Sequence, residues 1–224
     1  MARHPRLEVL QSMLENGLVP LFYVGEPDIA ARVLDACKSA GVRCIEFTNR
    51  GDQAHLVFGE LVRRCASQPD LILGAGSILD PGTASLYLQL GAEFIVGPAL
   101  HPEIARTCNR RKVAYVPGCA TVSEISAAEE LGVEICKIFP GGPVGGPEFV
   151  KAVRGPMPWS RLMPTGGVEP TRESVGGWIR AGAACLGMGS NLISKESLAK
   201  GDYATIEERC TQVLALIAEA RGAG

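Results

Sequence analysis

One rhythm governs this chain: short apolar runs rich in β-favouring residues alternate with longer stretches of helical period. Such alternation specifies βα units and a parallel sheet, because parallel neighbours need a crossover that a helix supplies. The expected strands are Leu18–Val24, Val42–Thr48, Leu71–Ala75, Phe94–Val96, Val113–Val116, Glu134–Phe139, Arg161–Met163 and Ala183–Gly187. Helices are expected between them at Pro27–Ala40, Asp52–Ser67, Pro81–Leu90, Pro102–Arg111, Val122–Leu131, Pro147–Val153 and Thr171–Ala181. A short helix, Leu7–Glu15, precedes the first strand, and an amphipathic stretch, Tyr203–Ala220, follows the last. The strand runs are continuously apolar, the pattern of strands buried on both faces.

Local punctuation supports these boundaries. Pro27, Pro81, Pro102 and Pro147 suit a first helical turn, where the missing N–H costs nothing. Gly41, Gly91, Gly132 and Gly182 stand just after helices, where a left-handed residue favours glycine. Thr121-x-x-Glu124 has the spacing of a capping box. Eight units in 224 residues leave 28 each, room for a short strand, a helix and two tight loops. Two architectures compete, a (β/α)8 TIM barrel and an open doubly wound sheet. The count of eight favours the barrel, and the lack of G-x-G-x-x-G after the first strand weakens the dinucleotide-binding sheet. No linker or composition shift divides the chain, so the reading is an α/β (β/α)8 barrel with a short N-terminal helix, one domain over residues 1–224.

Composition narrows the function classes. With 22 Lys+Arg against 24 Asp+Glu the net charge is −2, without the basic excess of a nucleic-acid binder or a polybasic membrane anchor. No apolar run reaches the ~20 residues of a membrane span, and the start lacks a signal-peptide core, so a soluble cytoplasmic protein is expected. Eight cysteines occur without a C-x-x-C pair and sit mostly in apolar runs, as small buried thiols do in a reducing compartment. Three histidines, His4, His55 and His101, lack ligand spacing, so no metal is expected. His55 reads as a surface or packing residue, His101 as a helix cap, and Trp159 and Trp178 as packing anchors.

Barrel enzymes place their sites at the C-terminal ends of the strands. Lys137 is the sharpest residue there, inside EICKIFP with Ile135 and Phe139 on its own face. Lysine is seldom buried without a partner. Withdrawal from water disfavours an ammonium ion, and a neutral amine can attack a ketone to form a Schiff base. The competing reading is a lysine that snorkels to solvent or pairs with a carboxylate. Glu46 shares a face with Cys44 and Thr48, and an inward carboxylate near such an amine can shuttle protons. Its competing role is a buried salt bridge to Lys137 or Arg43. Arg50, just past the same strand, could clamp a carboxylate bidentately with Ser77 and the Gly74–Gly76 backbone, or simply cap an exposed loop. The last two strand ends, PTGGV and GMGSNLI, have the glycines and serine of an anion cradle, though tight turns need glycine too. No G-x-S-x-G, Walker sequence or H-E-x-x-H is present.

Seven segments in order, VRCIEFTNR, LILGAGSILDP, FIVGPAL, VPGCATVSEI, CKIFP, MPTGGV and CLGMGSNLI, resemble the 2-keto-3-deoxy-6-phosphogluconate / 4-hydroxy-2-oxoglutarate aldolase family along nearly the whole chain. The resemblance implies a Schiff-base aldolase on a (β/α)8 barrel, usually trimeric, with no cofactor and a small keto acid as its partner. By the same resemblance Lys137 is the Schiff-base lysine and Glu46 the proton-transferring carboxylate. Arg50 and Ser77 match the pyruvate-carboxylate site, and Pro98 and Phe139 match residues that orient substrate. Gly166, Gly167, Gly189 and Ser190 match the phosphate-binding ends. Three departures stand out: Gly141-Gly142 where better-known members have Ala-Glu, Asn49 for an apolar residue, and Ser77 for a threonine. The expected reaction is cleavage of a 2-keto-3-deoxy sugar acid to pyruvate and an aldehyde such as glyceraldehyde 3-phosphate, with 4-hydroxy-2-oxoglutarate as a further substrate. A sugar-phosphate isomerase or epimerase on the same barrel, and a non-catalytic binder of phosphorylated sugar acids, are the rival readings.

Overall fold

The computed structural model describes residues 2–222. Helix α1 (Arg6–Asn16) leads into β1 (Leu18–Phe22), and strands and helices then alternate. They are α2 (Pro27–Ser39), β2 (Cys44–Thr48), α3 (Ala54–Cys65), β3 (Ile72–Gly76), α4 (Pro81–Leu90), β4 (Phe94–Val96), α5 (Pro102–Arg111) and β5 (Ala114–Val116). After them come β6 (Gly118–Cys119), α6 (Val122–Glu130), β7 (Cys136–Ile138), α7 (Gly146–Arg154), β8 (Leu162–Pro164), α8 (Arg172–Arg180) and β9 (Leu186–Met188). Two helices, α9 (Lys195–Lys200) and α10 (Tyr203–Gly222), complete the chain. All eight expected strands occur, most of them shorter than expected, and α9 is the helix that sequence reasoning missed.

Every strand pairing is parallel. Six strands form a curled sheet in the order β5-β4-β3-β2-β1-β9, and three form a second, β6-β7-β8. The break between β5 and β6 falls at Pro117, which has no N–H to give to a ladder. Its carbonyl still accepts from Lys137 N–H at 2.9 Å, so the strand crosses from one sheet to the other without losing that bond. On the far side a parallel bridge joins Thr165, just past β8, to Gly187 in β9.

Strand alternation sorts the core into two layers. Outward residues such as Ile45, Leu73, Ile95, Tyr115, Cys136 and Leu186 pack under the helices. Inward residues Val19, Cys44, Ile72, Phe94, Ala114, Ile135, Met163 and Cys185 pack together with Val9, Leu10 and Met13 of α1. The N-terminal helix thus plugs one end of the sheet interior, and each fully buried apolar side chain there contributes about 1.5–3 kcal/mol. The start of the chain is fastened by Glu93, buried at the head of β4, a role sequence reasoning missed. Its carboxylate accepts from His4 Nδ1 at 2.6 Å, Arg3 Nη2 at 3.0 Å and Leu73 N–H at 2.9 Å.

The expected helix signals are present. Gly41, Gly91, Gly132 and Gly182 all have positive φ, and Thr121 Oγ1 accepts from Glu124 N–H at 3.2 Å while Glu124 reaches back to Ala120 N–H at 2.8 Å. Trp178 is a buried anchor, but Trp159 is 67% exposed and its Nε1–H donates to Glu129, which corrects its expected packing role. His101 occupies the N-cap position of α5 without a side-chain cap bond. The residue holds its place instead through its own N–H, given to the Tyr115 hydroxyl at 3.2 Å.

All eight cysteines are free and buried. Burial pushes the Cys65 thiol up to about 11 and those of Cys108 and Cys185 up to about 12. Thiolates are the reactive form, so at pH 8 a disulfide reagent is expected to label less than about one thiol per native chain and all eight after unfolding. The same shifts carry a sign. Neutral thiols favour the fold fully below the unfolded thiol value of ~8.5, and that stability is lost as pH rises toward the folded values. Melting temperature should therefore decline through the alkaline range, which calorimetry across that range checks.

Candidate active site

At the C-terminal ends of the strands lies a cavity of 410 Å³. Nine of the ten residues singled out from sequence border it: Arg50, Ser77, Pro98, Lys137, Phe139, Gly166, Gly167, Gly189 and Ser190. Lys137, in the middle of β7, is 5% exposed, and its Nζ stands 5.0 Å from the centroid of the Phe139 ring. Ile135 belongs to the inner core layer, so alternation turns Lys137 inward as expected.

Glu46, the tenth residue, is not on the cavity lining. It is 1% exposed, and its Oε2 has no hydrogen-bond partner. Its place is made by a glycine: a Cβ at Gly76 would lie 1.7 Å from Glu46 Oε1. The next residue, Ser77, borders the cavity, so the carboxylate sits one residue behind the wall. Among the described residues Glu46 has no salt bridge, and Arg43 pairs with Glu15 at 3.9 Å. The structural ion pair that competed for Glu46 and Lys137 is therefore not formed. A buried carboxylate oxygen without a partner costs free energy, and such costs are retained where a group has chemistry to do.

Inward glycines recur along the strands. A Cβ at Gly74 would meet the Phe94 ring at 2.3 Å, and one at Gly187 would meet Thr165 Oγ1 at 2.2 Å. These positions empty the sheet interior just where its polar residues begin. Arg50 lies beyond β2, its Nε–H directed at Ser77 Oγ at 3.5 Å. Ser77 has a φ of +60°, which holds this non-glycine residue in the left-handed region. Asn49, the departure beside Arg50, accepts a hydrogen bond from the Tyr87 hydroxyl at 3.0 Å and so ties its loop to α4.

The two glycine turns also come together. Gly166 and Gly167 have φ of +81° and +86°. Gly141 and Gly142 pack directly on them, donating to Thr165 O and Gly166 O at 2.8 Å each. A Cβ at Gly141 would lie 2.8 Å from Gly166 O, so this departure from Ala-Glu lets two backbones meet. Asn191 Nδ2–H donates to Val168 O at 2.9 Å and joins the turn after β9 to the turn after β8. Thr165 and Asn191, inside the PTGGV and GMGSNLI motifs, border the cavity as well, and so do Tyr23 and Lys195, which escaped sequence reasoning. Tyr23 lies past its strand end and Lys195 lies several residues past its own, so neither falls on a strand-end motif.

Comparison with known proteins bears on this arrangement. The model of the KDPG and KHG aldolase family matches residues 9–209. The chain belongs to the KDPG and KHG aldolase family. As an aldolase it is a carbon–carbon lyase, which sets aside the isomerase and the non-catalytic binding protein. It is 32% identical over 209 residues to the 2-dehydro-3-deoxy-phosphogluconate aldolase of Pseudomonas aeruginosa, covering 92% of each chain. It is 30% identical over 195 residues to the KHG/KDPG aldolase of Escherichia coli, covering 86% of this chain and 89% of the other. Among solved structures, the KDPG aldolase of Legionella pneumophila superposes with a TM-score of 0.82 at 26% identity, covering 90% of this chain and 96% of that one. That protein was captured with pyruvate as a covalent carbinolamine intermediate.

The Gly76 contact in this aldolase generates a test. The three atoms nearest a methyl group there are Oε1, Cδ and Cγ of Glu46, so Gly76→Ala should displace the carboxylate. The variant's melting temperature is expected to fall by no more than ~4 °C, the shift of about 1 kcal/mol, while pyruvate release falls by more than ~10-fold.

Proposed function

We propose that this aldolase cleaves 2-keto-3-deoxy-6-phosphogluconate to pyruvate and glyceraldehyde 3-phosphate through a Schiff base on Lys137, and that it also accepts 4-hydroxy-2-oxoglutarate. The observation that carries the reading is a buried lysine opening into the cavity with no carboxylate paired to it, while an unpartnered glutamate lies behind the same wall. The Lys137 amine attacks C2 of the keto acid, and loss of water leaves an iminium that serves as electron sink. Glu46, directly or through a water, takes the C4 hydroxyl proton. The C3–C4 bond then breaks, its electron pair moves toward the iminium, and the aldehyde departs. The resulting enamine is protonated at C3, and hydrolysis gives pyruvate and the free amine. Arg50 and Ser77 hold the carboxylate of the keto acid, Pro98 and Phe139 orient it, and Gly166, Gly167, Gly189 and Ser190 receive the phosphate.

The same proposal takes the two sheets as one closed (β/α)8 barrel and the chain as a single domain. Continuity through Pro117 at one seam and the Thr165–Gly187 bridge at the other support closure. A homotrimer is supported by large exposed apolar residues on neighbouring parts of the surface, Leu56 on α3, Leu79 just before α4 and Leu86 on α4. No described helix is long and apolar enough to cross a membrane, and a cytoplasmic enzyme is the reading adopted here.

Incubation with pyruvate and borohydride should leave a stable pyruvyl adduct on Lys137 by mass spectrometry, absent in Lys137→Ala; an adduct on another residue, or none, overturns the assignment. Arg50→Lys replaces a planar fork by a point charge. It should raise KM for the keto acid by roughly tenfold, and an unchanged KM would exclude the clamp.

A further inference from the structure

Three basic side chains border the cavity, Arg50, Lys137 and Lys195, and no acidic one does among the described residues. Arg50 stands beside Ser77, and Lys137 is buried within the sheet interior. Lys195 borders the same cavity as the Gly166–Gly167 turn and follows Ser190 and Asn191 closely in the chain.

The segment that carries Lys195 is anchored at several points. Gly189 O accepts the N–H groups of Leu192 at 2.9 Å and Ile193 at 3.0 Å, and both of those side chains are buried. Asn191 binds Val168 O across to the neighbouring turn, and Ser194 Oγ accepts from Ser197 N–H at 3.1 Å. The acidic residue next along the chain, Glu196, pairs with Lys200 at 2.7 Å. Among the described residues no carboxylate lies within salt-bridge distance of Lys195. A positioned cation on the cavity wall therefore has no counter-charge of its own, and no acidic side chain among the described residues borders the cavity to supply one.

We propose that Lys195 is the specificity-determining cation for the phosphoryl end of the substrate, the residue by which this aldolase prefers a phosphorylated 2-keto-3-deoxy acid over its unphosphorylated counterpart. The inference deepens the aldolase reading and rests on it. Backbone N–H groups and the Ser190 hydroxyl donate to a phosphate and to a neutral hydroxyl, and favour the phosphate only by the added strength of a charged acceptor. A full positive charge separates the two, since a phosphomonoester near neutral pH carries close to two negative charges and a sugar hydroxyl none. Lys195 is exposed, so its attraction is partly screened, and the preference weakens as salt rises.

Pyruvate release is measured from 2-keto-3-deoxy-6-phosphogluconate and from 2-keto-3-deoxygluconate in wild type, Lys195→Ala and Lys195→Arg. The alanine variant is expected to raise KM for the phosphorylated acid about tenfold, with kcat and the KM of the unphosphorylated acid moving less than about twofold. The arginine variant should recover most of the loss, and the gap should narrow between ~0.05 M and ~0.5 M salt. An equal shift with both acids, or no shift with either, overturns the proposal. Calorimetric titration with 3-phosphoglycerate against glycerate needs no turnover and judges Lys195 separately. Wild type should bind the phosphorylated acid more tightly, and Lys195→Ala should lose most of that difference; a difference that the substitution leaves undiminished also overturns the proposal. Failure of the borohydride adduct at Lys137 would count against the aldolase reading, while the titration would still decide for or against Lys195.

Discussion

The structure depends on holding two ionisable groups, Glu46 and Lys137, inside a sheet above an inward layer of apolar residues. Both are nearly inaccessible to water, and no ion pair joins them. Removing a charge from water is costly, and an ion pair is the usual compensation. Here the surrounding fold bears that cost. The apolar layer formed by Val19, Cys44, Ile72, Phe94 and their neighbours, closed below by α1, makes a rigid base on which the polar layer rests. A substrate carbonyl at Lys137 then meets an amine with no competing carboxylate contact.

Space in this layer comes from glycine. Gly74, Gly76 and Gly187 fall at inward positions, and a methyl group at each would overlap Phe94, Glu46 or Thr165. The same economy operates at the rim, where Gly141 and Gly142 lie on Gly166 and Gly167 so that two turns share backbone hydrogen bonds. Glycine in a strand weakens it, so a run of strand glycines persists where something else needs the volume. In this aldolase it is a carboxylate below and an anion-sized opening above.

Much of the site was legible in the sequence because strand ends converge in a parallel α/β sheet. Once the strands are placed, Arg50, Ser77, Pro98, Lys137 and the glycine turns must lie at one end of the fold, and period-two alternation turns Glu46 and Lys137 to the same face. Lys195 escaped because its approach to the cavity depends on how the segment after β9 folds back, and no local period encodes that path. Glu93 escaped for a related reason: its partners Arg3 and His4 are about ninety residues away along the chain. Trp159 failed in the opposite direction, since aromatic size suggests burial but its position before β8 leaves it on the surface.

The sequence by itself determined the order of βα units, their helix boundaries, the buried face of each strand and the family to which the chain belongs. These follow from local rules: hydrophobic period, proline and glycine stereochemistry, and short motifs in a fixed order. Only the tertiary structure decided that Glu46 stands behind the cavity wall rather than on it, that no carboxylate neutralises Lys137, and that a third basic side chain reaches the rim. Those facts concern distances between residues far apart in the chain. They are set by which side chains exclude one another in a packed interior, and no reading of neighbours along the sequence can supply them.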